Sequence, residues 1–392
     1  MRYKKGNCPY FSTVELMGRA SRSIPFWQPQ IGRRESRFLD EVLTSNFLND
    51  GEVTAQFERR LCELLGAKHV IATTSGTTAL FAALIACGIK AGDEVLVPDV
   101  TFIATANAVT MAGATPVLVD VDPNTITMCP KAAAVAITRK TRAIVPVHLS
   151  GRAADMSSLC DLARRHKLRI VEDAAEALAS HSRDRRALGT IGDAGCFSFS
   201  PNKMITTGQG GAVVTNDDAI ASRLREIKDQ GRPTRGTGGD DVHVSVGFNF
   251  KFTNLQAAVG LGQLDLLGIR RRRVRQIYES YREMLAGIDG IRLIGFDEYE
   301  SPLWVDGIAE RRDELDAHLR AHNIYGRRFW HALHTQAPYR RSGAKLKHSS
   351  ELAPRAYWLP SSFLMTNDDV GRVCDLVRSF YGAGELRRAE AA

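Results

Sequence analysis

Seven apolar runs of five residues each recur between residues 69 and 215 of this chain, with helical stretches between several of them. The runs are His69–Thr73, Glu94–Pro98, Pro116–Asp120, Ala143–Val147, Arg169–Asp173, Cys196–Ser200 and Gly211–Thr215. Helical spacing marks the intervening segments Thr77–Gly88, Thr101–Ala112 and Met156–Lys167. Strands this short, with little polar alternation, are buried on both faces, and helical crossovers make the sheet they form mostly parallel. The pattern predicts an α/β fold in which ligands bind past the carboxyl ends of the strands.

At 392 residues the chain is long enough for two domains. Residues 1–23 lack apolar periodicity and read as an extension. The strand–helix alternation assigns residues 24–269 to a large domain. A long helical pattern from Thr253 toward Leu285 reads as the bridge to a smaller α+β domain over residues 270–392. Before that bridge, the glycine-rich stretch Gly231–Gly239 reads as a long connection.

Composition removes several function classes. No apolar run is long enough to span a bilayer, and the charged start lacks the apolar core of a secretory signal. Seven scattered cysteines with no C-x-x-C pair argue for reduced thiols in a cytoplasmic protein, not a disulfide frame or a metal site. The net charge of +8 raises nucleic acid as a partner. Its densest basic run, Arg270–Arg273 with Arg275, lies on a helical pattern and reads as a solvated face, and no nucleic-acid motif accompanies it. An anionic small substrate accounts for the charge as well.

Three features carry chemistry, each at or just past a strand end. Lys203 follows Phe197-Ser-Phe-Ser-Pro-Asn and precedes a turn with Gly208, Gly210 and Gly211, where backbone can approach a ligand closely. Asp173 ends an apolar strand beside Glu172, so only one of the two acids faces a site there. Ser75-Gly-Thr-Thr78 opens an apolar helix, whose free N–H groups favour phosphate, although an ordinary helix cap uses the same residues. A lysine amine, a strand-end carboxylate and a phosphate cradle in this order point to pyridoxal phosphate, which needs an amine to bond and a carboxylate for its ring nitrogen. Phe102 is either core or a ring that stacks on the cofactor. His148 and His334 are candidate substrate contacts, with a structural role as the alternative for each.

With these motifs in view, the chain resembles the DegT-type sugar nucleotide aminotransferases, fold-type I pyridoxal-phosphate enzymes. The matching segments are Ser75–Leu80, Glu172–Ala177, Phe197–Lys203, Gly208–Gly211 and Gly247–Lys251. The resemblance implies that Lys203 bonds the cofactor and Asp173 holds its ring nitrogen. It implies that Thr77, Thr78 and Ser198 hold the phosphate, that Phe102 stacks, and that Glu176 lies near the ring hydroxyl. Asn249 would reach the phosphate of the partner subunit in a homodimer. Many members carry Gln at the Glu176 place, Arg at Lys251 and Tyr at Ser150, which leaves Lys251 as a further candidate substrate contact. The segment Asn202–Gly208 resembles the perosamine-synthesis branch. That branch implies glutamate as donor, GDP-4-keto-6-deoxymannose as acceptor, and a place in O-antigen or other surface-polysaccharide synthesis.

Two other functions compete with this one. Sugar dehydratases of the same fold have histidine where Lys203 stands, so the lysine argues against them. A cofactor-sensing regulator built on a transaminase-like body would need a DNA-binding domain, for which residues 1–23 are too short.

Overall fold

The computed structural model describes residues 22–233, 241–340 and 346–389. Residues 1–21 of the expected extension and residues 234–239 of the glycine-rich stretch lie outside the described residues.

Seven strands form one sheet: β1 (His69–Thr73), β2 (Glu94–Pro98), β3 (Thr115–Val119), β4 (Thr141–Ile144), β5 (Arg169–Asp173), β6 (Ala194–Ser198) and β7 (Gly211–Thr215). Their order is β1-β7-β6-β5-β4-β2-β3, and only β7 runs antiparallel to its neighbours. The mostly parallel sheet expected from the sequence is therefore the one observed. Alternate strand residues enter different cores. Ile71, Cys196 and Val213 pack with the helix Gly76–Ala86 on one face. Val70, Ala72, Phe197 and Val214 pack with Phe57 and Leu61 of the helix Glu52–Leu65 on the other. Burial on both faces explains why the strands read as continuous apolar runs.

Four of the seven expected strands have the observed bounds, and the bounds of the other three shift by one to three residues. The expected run Ala143–Val147 stops at Ile144 because Pro146 has no N–H for a ladder. Pairing resumes beyond it, where Asp173 N–H donates to the Pro146 carbonyl at 2.8 Å and His148 N–H to the Asp173 carbonyl at 3.0 Å.

The long helix expected over Thr253–Leu285 is two helices, Asn254–Leu264 and Leu267–Met284. Leu266 N–H bonds the Gln263 carbonyl, a tight i−3 turn that breaks the helical hydrogen-bond series while the backbone stays right-handed. That continuous backbone conformation is why the sequence pattern reads as one helix. Beyond it stands a second, antiparallel sheet of β8 (Ile291–Leu293), β9 (Val305–Ala309), β10 (Arg327–Arg328) and β11 (Ala356–Leu359), in the order β10-β11-β9-β8. Ile24 packs in the core of this second unit, and its N–H bonds the Asn323 carbonyl at 2.9 Å. No described helix is long and apolar enough to cross a membrane.

Candidate active site

The sheet register sets three chain segments side by side at one edge. Thr73 pairs with Gly211, Gly211 pairs with Ser198, and Asp173 pairs with Cys196. The segment after Thr73 therefore starts its helix directly beside Ser198. A Cβ added at Gly76 would lie 2.9 Å from the Ser198 Cβ, and one at Gly211 would run into the Ser75 carbonyl. Glycine at both places permits this close approach.

The helix Gly76–Ala86 begins with a capping box. Ser75 Oγ accepts from Thr78 N–H at 3.1 Å, and Thr78 Oγ1 accepts from Ser75 N–H at 3.0 Å. Thr78 N–H and Oγ1 are thus both engaged within the cap. The N–H groups of Gly76 and Thr77 have no partner among the described residues, and Ser198 Oγ stands beside them. These are the groups a phosphate would find here.

Asp173 is 6% exposed at the end of β5. Its Oδ2 accepts from Thr105 Oγ1 at 2.8 Å and its Oδ1 from Ala175 N–H at 3.2 Å. Burial pushes its carboxyl above the ordinary value, against the opposing pull of those two donors. No cation forms an ion pair with it among the described residues. An uncompensated buried carboxylate of this kind fits a protonated ring nitrogen placed opposite it.

Glu172 points the other way, as strand alternation requires. It is fully buried and accepts from Gly189, Ile191 and Gly192 N–H at 2.6–2.8 Å. His148 joins this arrangement. Its Nε2 lies 2.8 Å from Glu172 Oε2, its Nδ1 accepts from Ala154 N–H at 3.2 Å, and it is 0% exposed. With both ring nitrogens engaged and no open face, His148 is a structural residue, and the substrate contact expected for it is corrected.

Lys203 Nζ donates to Glu176 Oε1 at 3.1 Å and lies 5.0 Å from the centre of the Trp304 ring. Glu176 Oε2 accepts from Ser150 N–H at 2.8 Å. Ser150 takes a left-handed conformation, φ 54° and ψ 19°, that aims this N–H at the carboxylate. Phe102 is 51% exposed, with Trp330 at 6.0 Å between ring centres, so it is not core. It heads the turn that delivers Thr105, whose N–H bonds the Phe102 carbonyl at 3.2 Å.

The remaining expected residues are placed as follows. Lys251 Nζ bonds Asp229 Oδ1 at 2.7 Å, and exposed Asn249 sits in an isolated bridge with Asp229. His334 Nδ1 lies 2.6 Å from Asp99 Oδ2, and its N–H donates to Asp99 Oδ1 at 2.8 Å. Sequence reasoning missed Thr105, Trp304 and Trp330. Thr105 had a usable signal, since it falls three residues after Phe102 at a helix start. The tryptophans had none, because they arrive from beyond residue 300 through the second sheet.

A family model described as the DegT/DnrJ/EryC1/StrS aminotransferase family matches residues 29–378. The GDP-perosamine synthase of Caulobacter vibrioides is 37% identical over 356 residues, which span 88% of this chain and 95% of its own. The enzyme of the same name from Escherichia coli O157:H7 is 35% identical, over 91% of this chain and 98% of its own. Among solved structures, DesI in the presence of its TDP-sugar product superposes with a TM-score of 0.86 at 33% identity, covering 96% of this chain and 98% of that one.

Proposed function

The chain belongs to the DegT/DnrJ/EryC1/StrS aminotransferase family, and we propose that it moves the amino group of glutamate onto GDP-4-keto-6-deoxymannose. It is a pyridoxal-phosphate-dependent aminotransferase of sugar nucleotides. The observation that carries the assignment of roles is Lys203 on Glu176, at the sheet edge that also holds the unpaired Asp173 carboxylate and an open helix start.

Pyridoxal phosphate, when bound, supplies an aldehyde that bonds amines and a ring that takes up electrons from the adjacent carbon. The chain's own groups do the rest. Gly76 and Thr77 N–H with Ser198 Oγ are assigned to the phosphate, and Thr77 lends its hydroxyl. Asp173, fixed by Thr105 and Ala175, is assigned to keep the ring nitrogen charged. Lys203 is assigned as the covalent anchor and as the base that takes and returns a proton at the substrate carbon. Glu176 steers the Lys203 amine, because its second oxygen is fixed by Ser150. Phe102 is assigned to cover one ring face.

GDP is preferred over TDP because two of the relatives reported above are GDP-perosamine synthases. A homodimer is proposed, with Asn249 reaching the partner's site. Five exposed apolar side chains support it: Phe47, Leu48, Val242, Val244 and Val246, the last 81% exposed. Asn249 follows Val246 by three residues. Val242, Val244 and Val246 lie in the segment just before Asn249, and exposed apolar side chains concentrated in one segment suit an association surface. The six described cysteines are all free thiols, which supports a cytoplasmic setting.

The test is incubation of the purified protein with glutamate and a panel of keto-sugar nucleotides, GDP- and TDP-linked, followed by mass spectrometry. The expected result is an amino sugar on GDP, formed one for one with 2-oxoglutarate. An amino sugar formed only on the TDP member would overturn the nucleotide assignment.

A further inference from the structure

A cleft of about 380 Å³ gathers Arg185, Arg271, Arg272 and Arg275 around His181, and neither Lys203, Asp173 nor Glu176 lines it. We propose that this cleft binds a diphosphate-bearing anion at a site separate from the transamination centre.

Its two acids are already committed. Glu298 pairs with Arg185 at 2.7 Å in solvent. The Glu300 carboxylate accepts from Ala153 and Asp297 N–H, each at 2.8 Å, and so faces backbone. Arg275 is also spoken for. It donates to the Glu300 carbonyl at 2.9 Å and to the Asp297 carbonyl, and lies 3.4 Å from Glu279. That leaves Arg271 and Arg272, both exposed, with no hydrogen bond or ion pair among the described residues. Two free guanidinium forks offer bidentate hydrogen bonds to phosphate oxygens, and their combined charge suits an anion that carries more than one negative charge, as a diphosphate does.

A second feature points the same way. Ser301 lines the cleft, is 3% exposed, and its hydroxyl has no partner among the described residues. Its N–H is already taken by Ser180 Oγ at 2.8 Å, so the side chain is the unsatisfied group. A buried hydroxyl left unpaired carries a desolvation cost that a bound acceptor removes. Burial, and then the nearby Arg271 and Arg185 guanidiniums, hold His181 below its ordinary value, as an excess of positive charge requires.

The cleft volume lies within the ordinary range for small-molecule pockets and exceeds what one phosphate fills. Arg185 already lies over the Tyr299 ring at 5.5 Å, which leaves an aromatic and cationic wall for the organic part of a nucleotide. Free diphosphate and a nucleoside diphosphate share the recognised group, and the experiment separates them.

The holoenzyme is titrated calorimetrically with pyrophosphate and, in a second series, with GDP. Wild type is compared with Arg271→Ala/Arg272→Ala, with the corresponding double lysine variant and with Ser301→Ala. One pyrophosphate per chain is expected, weakened about tenfold or more in the double alanine variant and partly restored by lysine. Ser301→Ala weakens it less. Turnover without added anion stays unchanged in the double alanine variant, whose substituted side chains are exposed. An Arg271/Arg272-dependent GDP site tighter than the pyrophosphate site identifies a nucleotide as ligand, and equal affinities identify free diphosphate. Unchanged pyrophosphate binding in the double alanine variant overturns the proposal. So does a raised KM for the keto-sugar nucleotide, which would make the cleft part of the substrate site.

Discussion

Lys203 Nζ and Glu176 Oε1 stand 3.1 Å apart, and the opposite oxygen of Glu176 is fixed at 2.8 Å by the N–H of a left-handed Ser150. A flexible lysine is thereby tied to the backbone through one carboxylate. Ser150 is in turn packed from two sides. Leu303 N–H bonds its carbonyl at 2.8 Å, and Trp358 Nε1 donates to its hydroxyl at 3.3 Å. Both come from the C-terminal part of the chain, so the second sheet sets the geometry around the lysine.

Lys203→Ala should abolish transamination and leave no borohydride-fixed adduct. Peptide mapping of the reduced wild-type protein should find the label on Lys203 alone. Label on another lysine would reject the anchor role.

Asp173→Asn should keep the fold and lose at least about 3 kcal/mol of barrier lowering, roughly a hundredfold in kcat/KM. The amide keeps hydrogen-bonding groups for Thr105 and Ala175 but no charge for the ring nitrogen. Near-wild-type turnover would remove Asp173 from that role.

The same residue gives a pH signature in the cofactor-free protein. Burial raises the Asp173 carboxyl above 3.8, so the folded state holds a proton that the unfolded state releases. Stability from this group is then full below that ordinary value and is lost as pH rises through the raised one. Cofactor-free Asp173→Asn should therefore melt higher than cofactor-free wild type at neutral pH, with the gap closing below about pH 4. Pyridoxal phosphate should stabilise wild type more than the variant, since only the former supplies a counter-charge. Thermal melts at several pH values, with and without cofactor, decide it.

His148→Ala should lower stability by about 2–4 kcal/mol while leaving KM for both substrates near wild type. The imidazole touches buried Glu172 and Ala154 and nothing at the sheet edge. Denaturant unfolding and steady-state kinetics on one preparation separate the two effects.

Much of this arrangement is legible in the chain because strand ends are local events. Asp173 falls at the end of a short apolar strand, and period-2 alternation already puts Glu172 and Asp173 on opposite faces. Thr78 is ambiguous in the sequence because a phosphate cradle and a capping box use the same Ser and Thr residues. Hydrogen-bond geometry shows that Thr78 caps its helix through Ser75. Trp304 over Lys203 was invisible, since 101 residues separate them and no periodicity carries across that distance. His148 was ambiguous for a related reason. A buried histidine and a substrate histidine look alike until the partner of each ring nitrogen is known.

Asn249 tests the dimer. Its side chain is exposed, and the segment around it holds Val242, Val244 and Val246 in solvent in a single chain. Lys251, two residues on, is tied to Asp229 at 2.7 Å, so Asn249 rests on a fixed base and points outward. If the partner's site needs Asn249, Asn249→Ala and Lys203→Ala chains should each be impaired as homodimers. After subunit exchange, half of the mixed dimers' sites hold both an intact Lys203 and an intact Asn249. Activity should then recover, toward about a quarter of wild type at equal mixing if subunits pair at random. Proven exchange with no recovery, from an impaired Asn249→Ala parent, would show that each site is completed within its own chain.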